Sequence, residues 1–438
     1  MHSQAVDYTN AIDQLLGKGG LNFLLSDSEA KVYCNGRELP SSAFTQALQP
    51  YLATHSLLCG FHTPEELHSA FEQLLNNTVP LPKIPGIRSV PTSEPEHVHF
   101  RGGSYSTTYA YLHQKQWRVV KECEVHNHAD KDERLVAEIE SIAHLPPKAQ
   151  KLYPKILEAQ KNSQRVRYEM EYIPYHDFAE VVRSGAYDPE RLTNLLTSSY
   201  DTLFKVLYKP LSTAQKAKNI DYAQTIQTRL AETRSSLPRS ADFQIFLNAD
   251  SLEINGQIYD GVEKTLQKAS NFLSDKTIPL TYNHGDLILQ DILIDPSTGD
   301  FRLIDGNGHS NGYFYDFSKT LLCLETKYDL FYNGDFELVT NLTDSTHPAV
   351  NYTFQNDAHL ATLEAMRAGF LEYLITHQTK FFTDLKDWEK TLMVLCGLQN
   401  IAIVMFHVLH HQKPERACGF LVCGIKLIND TLENTYHE

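Results

Sequence analysis

The sequence predicts an α+β protein in which a small lobe of antiparallel strands precedes a larger, mainly helical lobe. Short runs rich in Val, Thr and Tyr lie between His97 and Lys121, and helical periodicity dominates the chain beyond Asp177. A proline-rich stretch separates both lobes from an N-terminal segment. Because 42% of the 438 residues are hydrophobic, the chain is long and apolar enough for two or three folded domains, each with its own core.

The N-terminal segment, residues 1–77, is predicted to be a small accessory α/β domain without an assigned role. A hairpin is expected around residues 31–37, and a helix is expected to begin at Thr63-Pro64, where Thr can cap and Pro fits the first turn. Residues 78–96 are expected to form a linker, because five prolines within the sixteen residues from Pro80 to Pro95 exclude a continuous helix or a central strand.

The two lobes are predicted to divide at residue 175, giving a small lobe over 97–175 and a helical lobe over 176–438. In the small lobe, strands are expected at 97–101, 107–113, 116–121 and 165–172, with a helix at 132–145. Hairpins are expected to interrupt the helical lobe at 252–260, around Asn255-Gly256, and at 292–303.

Composition excludes several classes of function. The formal net charge of −15 disfavours a nucleic-acid partner, since phosphate contacts need a basic face. The longest apolar run, residues 401–409, falls short of the roughly 20 residues that span a membrane. Residues 1–7 have neither a basic start nor an apolar stretch, so no secretory signal is predicted. We therefore expect a cytoplasmic protein without a membrane span.

The cysteines and histidines predict packing rather than a metal centre. Seven scattered cysteines suit reduced, buried thiols better than a disulfide framework. The histidine groups 126/128 and 407/410/411 lack a complement of ligands at metal-binding spacing, so satisfied or exposed side chains are favoured over a metal site. The apolar stripe at 395–409 is predicted to be the core of the helical lobe.

Three aspartates at fixed offsets carry the chemical signal. His284-Gly285-Asp286 is followed by Asp291 five residues after Asp286, and Asp305 follows a predicted short hairpin. Phosphoryl transfer needs a carboxylate that orients and deprotonates the attacking hydroxyl, together with metal ions that neutralise phosphate charge. The three aspartates can supply both the carboxylate base and the ligands for the metal ions. The apolar runs beside them would form buried strands that hold the carboxylates in place.

These motifs resemble the aminoglycoside phosphotransferase and choline kinase group of the protein-kinase-like fold. The resemblance implies a bilobal fold, Asp286 as the catalytic base, and Asp291 and Asp305 as metal ligands. His284 and Asp316 would support the catalytic loop without touching ligand. ATP with Mg²⁺ is implied as cofactor, with Mn²⁺ as an alternative. The family usually has Asn at the position of Asp291, and the added negative charge there could alter metal preference or nucleotide affinity.

Residues upstream fit the nucleotide-binding half of such a fold. Lys121 lies eighteen residues after Gly103, as a phosphate-contacting lysine would, and Glu138 lies seventeen residues further on. We prefer Glu138 to Glu140 as the ion-pair partner of Lys121, because Glu138 leaves Ile142 as a core residue. Predicted nucleotide contacts are the loop residues Gly102, Gly103, Ser104, Tyr105, Ser106 and Thr107, the pair Lys121 and Glu138, and the hinge residues Glu171 and Ile173, near the adenine.

Three hypotheses follow. The first is an ATP- and magnesium-dependent phosphotransferase that acts on a hydroxyl of a small polar molecule. The second is a protein kinase or an AMP-transferring enzyme, although Asp305-Gly306-Asn307 replaces the Asp-Phe-Gly of protein kinases and no Ala-Pro-Glu segment follows. The third is a nucleotide-binding pseudokinase, motivated by Asp291 and by the accessory segment.

The acceptor is left open by the sequence. The stretch 212–280, with a helix around Thr228-Arg229-Leu230, lies where insertions in this fold shape the acceptor pocket, as the C-terminal helices do. The acidic composition would suit an amine-bearing acceptor such as an aminoglycoside or choline. Residues 328–330 and 410–416 resemble a bacterial branch associated with capsule and surface-polysaccharide synthesis, which implies a sugar or polyol instead.

Overall fold

The computed structural model confirms the two predicted lobes. It describes residues 21–25, 30–34, 37–38, 98–100, 106–114, 116–124, 131–162, 165–211, 217–219, 222–237, 242–307, 312–382, 385–410 and 413–433. In the accessory segment, strands β1 (Leu21–Leu25), β2 (Ala30–Cys34) and β3 (Arg37–Glu38) form an antiparallel meander. The helix expected at Thr63 and the 78–96 linker lie outside the described residues, so these boundaries stay predictions.

The small lobe is a five-stranded antiparallel sheet with one helix packed against it. The strands are β4 (Val98–His99), β5 (Thr107–His113), β6 (Gln116–Glu124), β7 (Ile156–Lys161) and β8 (Arg165–Glu171), in the order β4-β5-β6-β8-β7. Helix α1 (Lys131–His144) buries Leu135 against this sheet, together with Val119 and Val166. Edge strand β7 was not predicted, because residues 157–161 are all exposed and show no alternation.

The large lobe is mainly helical, as predicted. Its helices are α2 (Pro147–Gln150), α3 (Phe178–Arg183), α4 (Pro189–Val206), α5 (Ala223–Ser236), α6 (Asp242–Asn248), α7 (Val262–Leu273), α8 (Tyr313–Glu325), α9 (Tyr328–Asn333), α10 (Asp357–Thr376), α11 (Gln378–Phe381), α12 (Trp388–Ala402) and α13 (Pro414–Glu433). A 3-10 turn at Leu289–Asp291 and a π turn at Phe406–His410 complete it.

Short sheets interrupt the helices. Strands β9 (His176–Asp177), β14 (Ile292–Ile294) and β15 (Phe301–Leu303) form one sheet, while β10 (Ala217–Asn219) pairs with β13 (Thr277–Pro279). A four-stranded sheet has the order β12-β11-β17-β16, from β11 (Ser251–Ile254), β12 (Gln257–Asp260), β16 (Phe336–Asn341) and β17 (Ala349–Phe354).

Both hairpins predicted in the helical lobe are confirmed, but β16 and β17 were missed. Asn255 and Gly256 have φ of 50° and 81°, the left-handed pair that a tight hairpin turn requires. Ile292 pairs with Leu303 across the second hairpin. Strands β16 and β17 lie in the region that was predicted as mainly helical, where no strand was expected between 304 and 438. Strand β16 supplies a weak signal, because its exposed Val339 breaks the alternation, whereas β17 alternates apolar with polar residues and was overlooked.

Helices α12 and α13 form the centre of the large core. A Cβ on Gly397 would lie 2.9 Å from the carbonyl oxygen of Gly424, and one on Gly424 would lie 2.7 Å from the carbonyl oxygen of Gly397. Two facing glycines therefore let the backbones approach closely. In the described part of the chain, one segment, Trp388–Val408, is long and apolar enough to cross a membrane, but 83% of its most apolar window is buried inside the protein. This burial confirms the predicted core stripe at 395–409.

Candidate active site

Lys121 and Glu138 form a buried ion pair between strand β6 and helix α1. The Lys121 ammonium donates to both Glu138 carboxylate oxygens, at 2.8 and 3.1 Å, and the Tyr168 hydroxyl donates to Oε1 at 2.8 Å. Lys121 and Glu138 are only 6% and 7% exposed, so water does not screen the pair. The choice of Glu138 is confirmed, since Glu140 is exposed on the outer face of α1.

The same lysine reaches across to the large lobe. Lys121 Nζ lies 2.8 Å from Asp305 Oδ1, so one ammonium group joins β6, α1 and the segment that follows β15. Burial alone would lower the pKa of Lys121, but the carboxylates of Asp305 and Glu138 outweigh it and hold that pKa well above its ordinary value. Lys121 is therefore a permanent cation at the junction of the lobes.

Asp316 in the first turn of α8 fixes the catalytic loop. Its carboxylate accepts the backbone N–H groups of His284 and Gly285, both at 2.8 Å, and the side-chain amide of Asn283 at 3.2 Å. Asp316 is fully buried, and burial raises its pKa even though these three donors oppose the rise. Asp316 therefore contacts the backbone of the loop that carries Asp286, and its role in supporting catalysis stays a prediction.

Gly312 allows the chain to enter α8 close to the backbone of Pro279. It precedes the helix with φ of 73°, and a Cβ there would lie 2.3 Å from the carbonyl oxygen of Pro279. Only glycine fits such a left-handed and crowded position without a shift of the neighbouring backbone. The residue therefore sets where the first turn of α8 meets the catalytic loop.

His284 ties the catalytic loop to the segment that carries Asp305. Its Nε2 lies 2.7 Å from the carbonyl oxygen of Ile304, and its ring stacks on Tyr153 with 6.1 Å between ring centroids. Its own carbonyl oxygen accepts the backbone N–H of Asn307 at 3.0 Å. The ring is buried and faces protein groups, so His284 has the supporting position that was predicted for it.

Asp286 follows Gly285 in this loop, and its carboxylate is partly accessible to solvent. Lys319 Nζ lies 2.8 Å from Asp286 Oδ1, and the Asn307 amide donates to Oδ2 at 3.2 Å. The side chain of Asp286 is 33% exposed, whereas that of Lys319 is 9% exposed. Burial would raise the pKa of Asp286, but the Lys319 ammonium outweighs that effect and holds the pKa below its ordinary value. Asp286 is therefore an ionised carboxylate that can accept a proton.

Asp291 and Asp305 provide hard oxygen donors beside Asp286. Burial, followed by the charges of Asp305 and Asp286, raises the pKa of Asp291 well above its ordinary value. In the part of the chain that the structure describes, no three His, Cys, Asp or Glu side chains form a complete metal-ligating group. Two carboxylates suffice for Mg²⁺ at a phosphate site, since waters and phosphate oxygens supply the other ligands. The donor set thus fits a divalent cation that binds together with a nucleotide.

Asp305 has an unusual backbone. Its φ is 61°, in the left-handed region that few residues other than glycine and asparagine adopt. Non-glycine residues in this region cost energy and cluster at functional sites. The conformation directs the Asp305 carboxylate to Lys121, 184 positions earlier in the chain.

The structure describes only some of the remaining residues that were predicted to contact the nucleotide. Ser106 and Thr107 stand where β5 begins, half-buried and exposed respectively, while Gly102, Gly103, Ser104 and Tyr105 lie outside the described residues. Glu171 ends β8, and its carboxylate accepts the backbone N–H of Lys155 at 2.9 Å. Ile173 follows in the half-buried connection to the large lobe. Their contacts with a nucleotide stay predictions.

Lys319 and Asn307 were not predicted from the sequence. Lys319 lies one turn after Asp316, on the same face of α8, in a helix whose neighbouring side chains are almost all buried. A lysine within such a buried apolar run is itself a signal, because lysine is almost never fully buried unless it is paired. Asn307 follows Asp305 by two residues and could be noted only as a departure from Asp-Phe-Gly.

No protein-family model and no curated protein matches the chain. Among solved structures, the chain is similar to a thermostable mutant of aminoglycoside phosphotransferase APH(4)-Ia in a ternary complex with ADP and hygromycin B. The identity is 8% and the TM-score 0.45, over 77% of this chain and 94% of that chain. It is also similar to spectinomycin phosphotransferase APH(9)-Ia in complex with ADP and spectinomycin, with 9% identity and a TM-score of 0.37, over 83% and 98% of the two chains.

The architecture itself decides the assignment of fold. A five-stranded antiparallel lobe faces a helical lobe, and Lys121 contacts both Glu138 and Asp305. Asp316 holds the loop that carries Asp286. The bilobal architecture that the resemblance implies, a small antiparallel sheet lobe and a larger helical lobe, is thus confirmed, and the capsule-associated branch stays a prediction.

Proposed function

We propose that the protein is an ATP-dependent phosphotransferase that phosphorylates a hydroxyl group of a small polar molecule. The observation that carries the proposal is Asp286, a partly exposed, ionised carboxylate on a loop that Asp316 holds rigidly. Rigid placement of a base next to an acceptor hydroxyl is the main contribution that a protein makes to phosphoryl transfer.

Each residue has a distinct part in the proposed reaction. The acceptor hydroxyl gives its proton to Asp286 as its oxygen forms a bond to the γ-phosphorus of ATP, and the bond between that phosphorus and the β,γ-bridging oxygen breaks to release ADP. Lys121, positioned by Glu138, contacts the phosphates. Asp291 and Asp305 would hold Mg²⁺, which neutralises phosphate charge when it is bound. Lys319 keeps Asp286 ionised.

The first test is nucleotide turnover with pooled acceptors. Purified protein with ATP and Mg²⁺ is incubated with pools of sugars, polyols, amino alcohols and aminoglycosides, and the nucleotides are separated by chromatography. We expect ADP to form with one pool, and Asp286→Ala to lower the rate by about 10²- to 10⁴-fold while nucleotide binding persists. Asp300→Ala, which removes an exposed carboxylate from the neighbouring hairpin, is the matched control and should retain activity.

The products separate this proposal from its alternatives. ADP with a phosphorylated small molecule supports it. A phosphoprotein would indicate a protein kinase, and protein carrying AMP would indicate AMP transfer. Full activity in Asp286→Ala would exclude the mechanism. Nucleotide binding without turnover by any pool or by protein would favour the pseudokinase hypothesis, and Asp291→Asn, which restores the residue usual in the family, is then the variant to compare.

A further inference from the structure

Helix α5 brings a second cation to the acceptor side of Asp286. Tyr222 immediately precedes α5, and its hydroxyl lies 3.0 Å from the hydroxyl of Tyr315 on α8. Tyr315 lies one turn before Lys319, whose ammonium is 6.0 Å from the Tyr315 ring centroid. Arg229 is two turns beyond Tyr222, so both residues project from the same face of α5. The contact between the tyrosines therefore joins the N-terminal end of α5, the helix that carries Arg229, to the part of α8 that carries Lys319.

The charge of Arg229 acts on this group of side chains. Its positive charge contributes to lowering the pKa of Asp286, and it also opposes the raised pKa values of Lys319 and Tyr315. The guanidinium charge thus affects the pKa values of three groups, Asp286 on the loop and Tyr315 and Lys319 on α8. These effects agree with the contact between Tyr222 and Tyr315, which joins the start of α5 to the helix that carries Lys319, the ion-pair partner of Asp286.

Arg229 has no ion-pair partner among the residues that the structure describes, although it is half-buried. Its neighbour on the same helix, Arg234, pairs with Glu263 at 2.8 Å and donates to the carbonyl oxygen of Leu247 at 2.7 Å. Lys319 is neutralised by Asp286 at 2.8 Å. Within the described part of the chain, Arg229 is therefore a cation near Asp286 without an ion-pair partner of its own, in a chain whose net charge is −15.

We propose that the acceptor carries an anionic group, a carboxylate or a phosphate, and that Arg229 binds this group while Asp286 faces the hydroxyl. The inference rests on the proposed phosphotransferase function and names its substrate class. Arginine suits this task because its planar guanidinium donates two parallel hydrogen bonds to a carboxylate or phosphate. An amine-bearing acceptor, which the acidic composition suggested, would meet repulsion from Arg229 at this position.

The test compares acceptor pools that differ in charge. Neutral sugars and polyols, amino sugars and aminoglycosides, sugar acids, and sugar phosphates form four pools, and ADP formation is measured with wild type, Arg229→Gln, Arg229→Lys and Arg234→Gln. We expect turnover with the sugar acids or with the sugar phosphates. Whichever of these two pools is active shows whether the anionic group is a carboxylate or a phosphate. Arg229→Gln should raise KM for that acceptor by about ten- to a hundredfold with little change in kcat. Arg229→Lys should restore part of the affinity, and Arg234→Gln should leave KM unchanged.

Other results would overturn the inference. Preference for the neutral or amino pool would contradict it while leaving the proposed function intact. A fall in kcat that is equal for every acceptor in Arg229→Gln would show that Arg229 acts on the transferred phosphate instead. Absence of acceptor-dependent ADP in all four pools, with nucleotide bound, would count against the phosphotransferase itself and so against both proposals.

Discussion

Asp286 and Lys319 illustrate how one contact sets the chemistry of a residue. The carboxylate is partly withdrawn from water, which by itself favours the neutral acid, and the ammonium at 2.8 Å reverses that preference. A base for phosphoryl transfer must be ionised before the hydroxyl arrives. The ion pair therefore gives Lys319 the role of a positioning residue in the proposed mechanism.

Replacing Lys319 by Met should move the acid limb of the kcat/KM profile to higher pH. Without the ammonium, burial is left uncompensated, so the pKa of Asp286 rises and a larger share of the carboxylate is protonated at a given pH. Activity should consequently fall most on the acid side and recover as the pH is raised. The measurement is the pH dependence of kcat/KM for wild type and Lys319→Met.

Lys264→Met removes an exposed lysine on α7 and serves as the matched control. Its profile should overlay that of wild type. A uniform loss of activity in Lys319→Met, with an unmoved acid limb, would mean that the lysine acts on something other than the protonation of Asp286.

At the scale of residues, spacing was informative wherever the partners share a short motif. Lys121, Glu138, Asp286, Asp291 and Asp305 were all identified from local offsets. Lys319 was not, because its partner lies on a different segment and only the folded chain brings them together. The acceptor side depends in the same way on Tyr222 and Tyr315, which are 93 positions apart.

At the scale of elements, the start of α8 depends on one glycine. Gly312→Ala would introduce both a left-handed backbone conformation at a residue with a Cβ and a contact of 2.3 Å with the carbonyl oxygen of Pro279. We expect the free energy of unfolding to fall by about 3 kcal/mol. Because Asp316 lies four residues later, the variant should also lose activity by displacing the catalytic loop. Urea unfolding and ADP formation measure the two effects.

Gly185→Ala separates the two causes. Gly185 also has a left-handed φ, 62°, but a Cβ there meets nothing within 4 Å. It should cost only about 1 kcal/mol of stability and leave activity unchanged. Equal losses in the two variants would show that the contact with Pro279 is relieved without cost.

The elements that the sequence predicted best have strong periodicity. Helix α1 and strands β5, β6 and β8 end within a few residues of the predicted bounds, since each has one clearly apolar face. Strands β7 and β16 are mostly exposed and have little apolar alternation to detect, whereas the alternation in β17 is clear but short. Their place is decided by pairing: β17 lies parallel to β11 through Glu253 and Ala349.

At the scale of the whole molecule, a buried aspartate joins segments from distant parts of the large lobe. Asp329 on α9 contacts Arg183 of α3 at 3.3 Å and His359 of α10 at 3.0 Å, and it accepts from Gln290 of the 3-10 turn at 3.2 Å. Gln290 immediately precedes Asp291. The cluster thus connects the helical core to the predicted metal site.

Asp329→Asn should destabilise the protein most at neutral pH. Burial would raise the pKa of Asp329, but His359 and Arg183 outweigh it and the pKa is lowered. A lowered folded-state pKa means that the stabilisation is complete above the ordinary aspartate pKa and is lost as the pH falls through the folded-state value. We expect a difference of about 3 kcal/mol near neutrality that shrinks towards about pH 3.

Urea unfolding of both proteins across this pH range tests the expectation. Asp300→Asn, at an exposed carboxylate, should match wild type throughout. A difference that stays constant with pH would show that Asp329 contributes through packing or neutral hydrogen bonds and not through its charge.

The contact of Lys121 with both lobes has a mechanical consequence. Moving the lobes apart at this point would separate the ammonium from Asp305, since Lys121 and Glu138 both belong to the small lobe. The Asp305 carboxylate would then lose its counter-charge, which costs electrostatic energy, although its side chain is 40% exposed and water screens part of that loss. The hinge between the lobes is therefore biased towards closure by charges within the protein itself, and any process that widens the cleft must work against that bias.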